Sequence, residues 1–265
     1  MKDISFDFYW ILNEQNIALI TQSIIDEKFS FSPDSMILDD DYSFVDGIEE
    51  FKKISNWQVD SSVLIYGEFN GYPSELFFNV FSWRDRKLIK LHIRLVLNKI
   101  DDFESRSYFL AIPALLCCFI YDNEDVKWQT EVRLENYERS GKSYTSLAKT
   151  KDRAGRTIID TSENWGRSIN AIHIRFLAAS IMYFAEPFYK IIDKEIFYSF
   201  ERVQNVNINN TDFILVELFD VFNDDIILIR NRQKAFLDHT KLLERACWLH
   251  ENFLGVAQAL NYLDI

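Results

Sequence analysis

"ELFFNVFSWRDRKLIKLHIRLVL", residues 75–97, decides the fold of this 265-residue chain. Apolar side chains recur at every second position on both sides of a polar corner at 84–87. They are Phe77, Phe81 and Trp83 on the first arm and Ile89, Leu91, Ile93, Leu95 and Leu97 on the second. A period of two residues is that of a strand with one buried face. The stretch therefore predicts a β-hairpin with these side chains in the core.

The opposite face of the hairpin is basic. Lys90, His92 and Arg94 alternate with the apolar residues of the second arm, and Arg84 and Arg86 lie at the corner. A basic face beside an aromatic side chain can bind an anionic ligand. The chain as a whole is acidic, so pairing with its own carboxylates explains the face better. We therefore interpret it as a solvated strand face.

Strand and helix patterns are mixed along the chain without a strict alternation. Residues 4–12 and 61–69 are rich in β-branched and aromatic residues, which favours strands. Residues 168–186 place Ile169, Ile172 and Phe176 at helical spacing, and residues 242–263 repeat apolar side chains every four and three positions. We predict an α+β fold: an antiparallel sheet, with the hairpin near 75–97, packed with helices, and a second half that is mainly helical.

The length allows one large core or two small ones. No linker or low-complexity tract divides the chain, and the longest polar stretch is the basic segment 140–156. We predict a single α+β domain over residues 1–265, with a possible subdomain break in the basic loop 140–156.

Composition narrows the class of function. The net charge is −12, which repels nucleic acids and anionic membranes, so neither is an expected partner. The longest uncharged stretch, Ser107–Tyr121, is shorter than the roughly 20 residues of a spanning helix. Three cysteines cannot all pair, and the N-terminal segment lacks a signal-peptide cleavage site. We expect a cytoplasmic, reduced protein.

The most acidic stretch is "SMILDDDYSFVDGIEEFKK", residues 35–53. It approaches the spacing of a calcium-binding loop, but Phe44 occupies the position where that loop needs glycine. Ser43 followed three residues later by Asp46 has instead the spacing of a capping box. We predict a helix that begins at Ser43, no metal site, and Asp39–Asp41 as exposed negative charge.

No catalytic motif is visible. Gly141-Lys142-Ser143 resembles the end of a phosphate loop, but Asn136 stands where that loop requires glycine. The four histidines lack the spacing of metal ligands. We therefore assign no catalytic residue and expect no cofactor.

Two functions remain. The first is an acidic protein-binding module, best described as an immunity-type inhibitor that neutralises a cognate bacterial toxin, in particular a basic one. We expect a monomer or weak homodimer. The candidate partner-binding residues are Asp39, Asp40, Asp41, Trp83, Arg84 and Arg86. The alternative is an enzyme, a hydrolase or transferase, with a dispersed carboxylate, histidine and arginine site that no motif reveals.

Overall fold

The computed structural model describes residues 1–11, 18–20, 22, 31–38, 43–45, 62–83, 86–171 and 173–251. The strands within these ranges are β1 (Lys2–Ile11), β2 (Phe31–Leu38), β3 (Ser43–Val45), β4 (Ser62–Phe69), β5 (Tyr72–Trp83), β6 (Arg86–Leu97), β7 (Leu115–Asp122), β8 (Lys149–Lys151), β9 (Thr157–Ile159), β10 (Ile169–Ala171), β11 (Ile174–Phe176), β12 (Ile181–Ala185), β13 (Val203–Ile208) and β14 (Thr211–Glu217). The α-helices there are α1 (Arg106–Leu110), α2 (Asn123–Thr130), α3 (Leu134–Ser140), α4 (Lys194–Tyr198), α5 (Ile226–Thr240) and α6 (Leu242–Glu251).

One antiparallel sheet joins strands from both halves of the chain. Its order is β13-β14-β12-β7-β1-β6-β5-β4-β2-β3, while β8–β9 and β10–β11 form separate two-stranded sheets. Strand β1 lies between β6 and β7, and its residues are buried on both faces from Ile4 to Trp10. Its sequence alternates, with Ile4, Phe6, Phe8 and Trp10 on one face and Ser5, Asp7 and Tyr9 on the other.

The predicted hairpin is present as β5 and β6, and the apolar set of the second arm, Ile89 to Leu97, is buried. The apolar set predicted for the first arm is wrong. Leu76, Phe78 and Val80 are buried there, whereas Phe77 is only half-buried on the other face. The register explains the difference, because Phe78 pairs with Leu91, so its neighbour must point the other way.

The prediction of a mainly helical second half is wrong, although the chain is α+β in the broad sense. The segment predicted as one helix, 168–186, contains strands β10, β11 and β12. His173, with a φ of 65°, lies in the turn between β10 and β11, and a residue in the left-handed region cannot continue a helix. The β-branched residues of this segment suit its short strands. The helical spacing was a coincidence of two short alternating runs.

The prediction that a helix begins at Ser43 is also wrong. Ser43–Val45 is strand β3, and Ser43 pairs with Leu38 of β2. Residues 46–61 lie outside the described part of the chain.

Aromatic side chains form the core on one face of the sheet. The ring of Phe103, which follows a short 3-10 turn at Ile100–Asp102, lies 4.8 Å from that of Phe6, 6.0 Å from that of Phe69 and 6.3 Å from that of Phe109. Phe103 has no exposed surface. It therefore links the central strand β1 to β4 and α1.

We expect Phe103→Ala to lower the free energy of unfolding by about 3–5 kcal/mol, because it removes a buried ring and leaves a cavity. Urea denaturation followed by circular dichroism measures the change. Leu147→Ala is the matched control, since Leu147 is exposed and its truncation should alter stability little. Equal losses in the two variants would contradict this assignment of the core.

Candidate functional site

A cluster of polar side chains lies on the other face of the sheet, where an apolar core would be the default. Register brings it together: Asp7 pairs with His92, Tyr9 with Lys90, and Ser5 with Tyr121, so these side chains share one face. We call this group the Asp7 cluster; it consists of Asp7, Tyr9, Lys90, His92, Tyr121 and Arg175.

Asp7 is the centre of the cluster and has no exposed surface. Its Oδ1 lies 2.5 Å from His92 Nδ1 and 3.7 Å from Lys90 Nζ. Its Oδ2 accepts hydrogen bonds from the hydroxyl of Tyr121 at 3.0 Å and, more weakly, from that of Tyr9 at 3.4 Å. A buried carboxylate is tolerated only with such partners, and here both oxygens have them.

The partners keep Asp7 ionised. Burial raises the pKa of its carboxyl, but the electrostatic effects of Lys90 and His92, the His92 hydrogen bond and Arg175 together lower the pKa well below its ordinary value of 3.8. Burial lowers the pKa of Lys90 more than Asp7 raises it. The negative charge of Asp7 is therefore what makes these cations acceptable inside the fold.

The two phenols connect Asp7 to Arg175. Burial and, next, the charge of Asp7 raise the pKa of Tyr9 and of Tyr121, so both stay protonated. The hydroxyl of Tyr121 donates a hydrogen bond to Asp7 and accepts a hydrogen bond of 2.6 Å from Arg175 Nη1. The backbone N–H of Arg175 donates to the Tyr9 hydroxyl at 3.0 Å. These bonds fix the β10–β11 hairpin against the sheet.

Farther along the same face, Arg94 Nη1 lies 2.9 Å from Glu75 and Nη2 lies 2.8 Å from Asp3. The polar face of the hairpin is thus paired with acids of the same chain, as the sequence indicated. The expectation that this face is solvated is wrong at its centre, because the side chains of Lys90 and His92 are only 14% and 17% exposed and Asp7 is buried.

Arg175 also lines a cavity of about 490 Å³ between α2, the start of α3 and β10. The lining is mostly polar and consists of Asn123, Val126, Lys127, Thr130, Glu131, Val132, Arg133, Asn136, Ser168, Asn170 and Arg175. This volume falls within the range of small-molecule sites, roughly 300–1,000 Å³.

A separate exposed feature lies at the start of α5. The side chains of Ile226 and Ile227 are 55% and 71% exposed, and carboxylates precede them in the loop. We call this group the acidic isoleucine surface; it consists of Asp220, Asp224, Asp225, Ile226 and Ile227. Adjacent exposed apolar residues are typical of contact surfaces.

The chemistry of the Asp7 cluster is that of an oriented imidazole. Nδ1 of His92 faces Asp7, which fixes the orientation of the ring, and the side chain is 17% exposed. Nearby thiols are poor nucleophiles, since burial raises the pKa of Cys117 and of Cys118. Among the described residues no group of three or more His, Cys, Asp or Glu side chains could hold a metal ion.

The residues proposed from the sequence as partner-binding are not tested by this geometry. Asp39, Asp40, Asp41 and Arg84 lie outside the described residues. The backbones of Trp83 and Arg86 pair at the end of the β5–β6 hairpin, and their side chains are not described.

Sequence reasoning missed Asp7, Tyr121 and Arg175. One signal could have found Asp7, because it is a charged residue in the middle of an otherwise apolar strand, "ISFDFYWI". Acids are almost never fully buried unless paired, so such a position predicts an internal cation. No comparable signal marks Arg175, whose place depends on the packing of the hairpin.

We expect Asp7→Asn to destabilise the fold by about 3–5 kcal/mol at pH 7, since it leaves Lys90 and Arg175 without their carboxylate. The pKa of Asp7 is lower in the folded state than in the unfolded state. Its contribution is therefore present at neutral pH and declines as the pH falls below about 5, through the ordinary value of 3.8 and towards the lower folded value.

Urea denaturation of both proteins between pH 7 and pH 2.5 measures this difference, which should shrink towards acid pH. Asp101→Asn, which alters an exposed acid, should change stability little. A difference between wild type and Asp7→Asn that is independent of pH would contradict the assigned role of the carboxylate.

In the described residues, no helix has the length and apolar character needed to cross a membrane. Comparison of the chain with protein-family models, with curated proteins and with solved structures finds no match.

Proposed function

We propose that the protein binds a basic protein partner and neutralises it, as an immunity-type inhibitor neutralises a toxin. The observation that carries this proposal is the acidic isoleucine surface. Ile226 and Ile227 are neighbours whose side chains remain mostly in water, which is unfavourable unless a partner covers them. Burial of this pair would supply affinity at the centre of a contact.

The carboxylates of this surface are held in place by the protein itself. Asp225 accepts hydrogen bonds from the backbone N–H groups of Ile227 and Leu228, and Asp224 pairs with Arg232. Slight burial raises the pKa of Asp220, but hydrogen bonds from Asn223 and the Phe222 backbone lower it by more. The pKa of Asp220 therefore lies below its ordinary value. Fixed negative charge next to an apolar pair suits a basic partner.

The net charge of −12 supports the same partner chemistry. A strongly acidic protein attracts a basic one at long range and accelerates their encounter, and salt screens this effect.

A test uses the purified product of the gene next to this one as the partner. We expect saturable binding in biolayer interferometry, an association rate that falls as salt rises, and survival of cells that express both proteins. Ile227→Lys should raise the Kd at least about tenfold, because it places a cation where a basic partner docks.

The matched control is Leu147→Lys, which makes the same change at another exposed apolar residue and should leave the Kd within about twofold. If the wild-type protein neither binds this partner nor protects the cells, the proposal is wrong. If the two lysine variants weaken binding equally, the acidic isoleucine surface is not the contact surface.

The second candidate function is catalysis, favoured by the orientation of His92 by Asp7 and by the position of Arg175 on a cavity wall. Under the binding proposal we expect no turnover of p-nitrophenyl acetate or p-nitrophenyl phosphate above the buffer rate. Turnover that is lost in His92→Gln and retained in His239→Gln would instead favour a hydrolase.

A further inference from the structure

The cavity beside Arg175 carries the opposite charge to the protein as a whole. Its wall holds three cationic side chains, Lys127, Arg133 and Arg175, against one carboxylate, Glu131. In a chain with a net charge of −12, a cationic cavity is not explained by composition. A local excess of positive charge in a concave site attracts anions.

Glu131 offsets one of the three positive charges, so an excess of two remains on the wall. It accepts hydrogen bonds of 2.8 Å from the backbone N–H of Arg133 and of 2.6 Å from the amide of Asn136. Partial burial raises the pKa of Glu131, but these hydrogen bonds lower it to a net value below the ordinary one. The carboxylate thus braces the turn between α2 and α3.

Arg175 is not saturated by the protein. Within the described residues its Nη1 donates to Tyr121, while its buried Nε has no hydrogen-bond acceptor. The Asp7 cluster holds one carboxylate against Lys90 and Arg175, so it too has an excess of positive charge. An arginine on a cavity wall suits an oxyanion, because the charge of the guanidinium strengthens a hydrogen bond to it.

We propose that this cavity binds a small organic anion that carries a carboxylate or phosphate group. Arg175 and Arg133 contact the acidic group, and the cavity of about 490 Å³ has room for the rest of a small polar molecule. The side chains available to form hydrogen bonds with that part of the ligand are Asn123, Thr130, Asn136, Ser168 and Asn170. The site is independent of the acidic isoleucine surface and of the partner proposed to dock there.

The test is a titration of the ¹⁵N-labelled protein with inorganic phosphate and, separately, with succinate, at constant ionic strength adjusted with sodium chloride. We expect saturable chemical-shift changes in the backbone amides of 123–136 and 168–175. The probe with the lower Kd identifies phosphate or carboxylate as the preferred acid group.

Arg133→Gln should raise the Kd for that probe about tenfold, because it removes one charge-assisted contact from an exposed position without disturbing the fold. Arg175→Lys should raise it by a similar factor, since lysine keeps the charge but loses the planar pair of donors. Arg153→Gln, an exposed arginine outside the cavity, should leave it unchanged. Absence of saturable shifts with both probes, or binding unaffected by Arg133→Gln, would overturn the proposal.

Discussion

The structure depends on one buried negative charge. Asp7 lies on the central strand β1 and contacts groups from β6 and β7, and through Tyr121 it reaches Arg175 on the β10–β11 hairpin. A carboxylate inside a fold must be matched by donors on all sides. Four elements distant in sequence are therefore held in one relative arrangement, because any shift in register would leave the charge without its partners.

The two faces of the sheet stabilise the fold by different means. On one, Phe6, Phe103 and Phe109 pack by shape, and several arrangements of similar volume would serve. On the other, the hydrogen bonds of Asp7 lie beside aromatic contacts of Phe119 with Tyr9 and Phe184. Hydrogen bonds are directional, so those of Asp7 constrain which residues of β1, β6 and β7 lie opposite one another more tightly than packing by shape does.

The sequence predicted the parts of the fold that depend on local pattern. In strands β1 and β4 and in the β5–β6 hairpin, apolar side chains recur over enough residues for a strand to be recognised. The buried face predicted for Ile89 to Leu97 is confirmed. The choice between Phe77 and Phe78 could not be made locally, since adjacent aromatics fit either face and only the partner strand decides. The segment 168–186 failed for a related reason: strands of three residues are too short to show a period.

The candidate site was less predictable than the fold, because its members are separated in the chain by many residues. Asp7 and His92 become neighbours through strand pairing, and Arg175 joins them through a hairpin whose turn is formed at His173. Their residue types are common, so no spacing marks them. The basic residues of the hairpin were visible, but the sequence did not show which acids would face them.

The position of β1 in the middle of the sheet has a consequence for biosynthesis. This strand is synthesised before the residues with which it pairs, 88–97 and 115–122. At a translation rate of about 5–20 residues per second, it waits roughly 5–20 s for the end of β6. During that time an apolar strand is prone to pair with other nascent chains, and a charge in its centre opposes this. The same carboxylate that organises the finished fold is therefore placed where it would oppose aggregation of the unfinished chain.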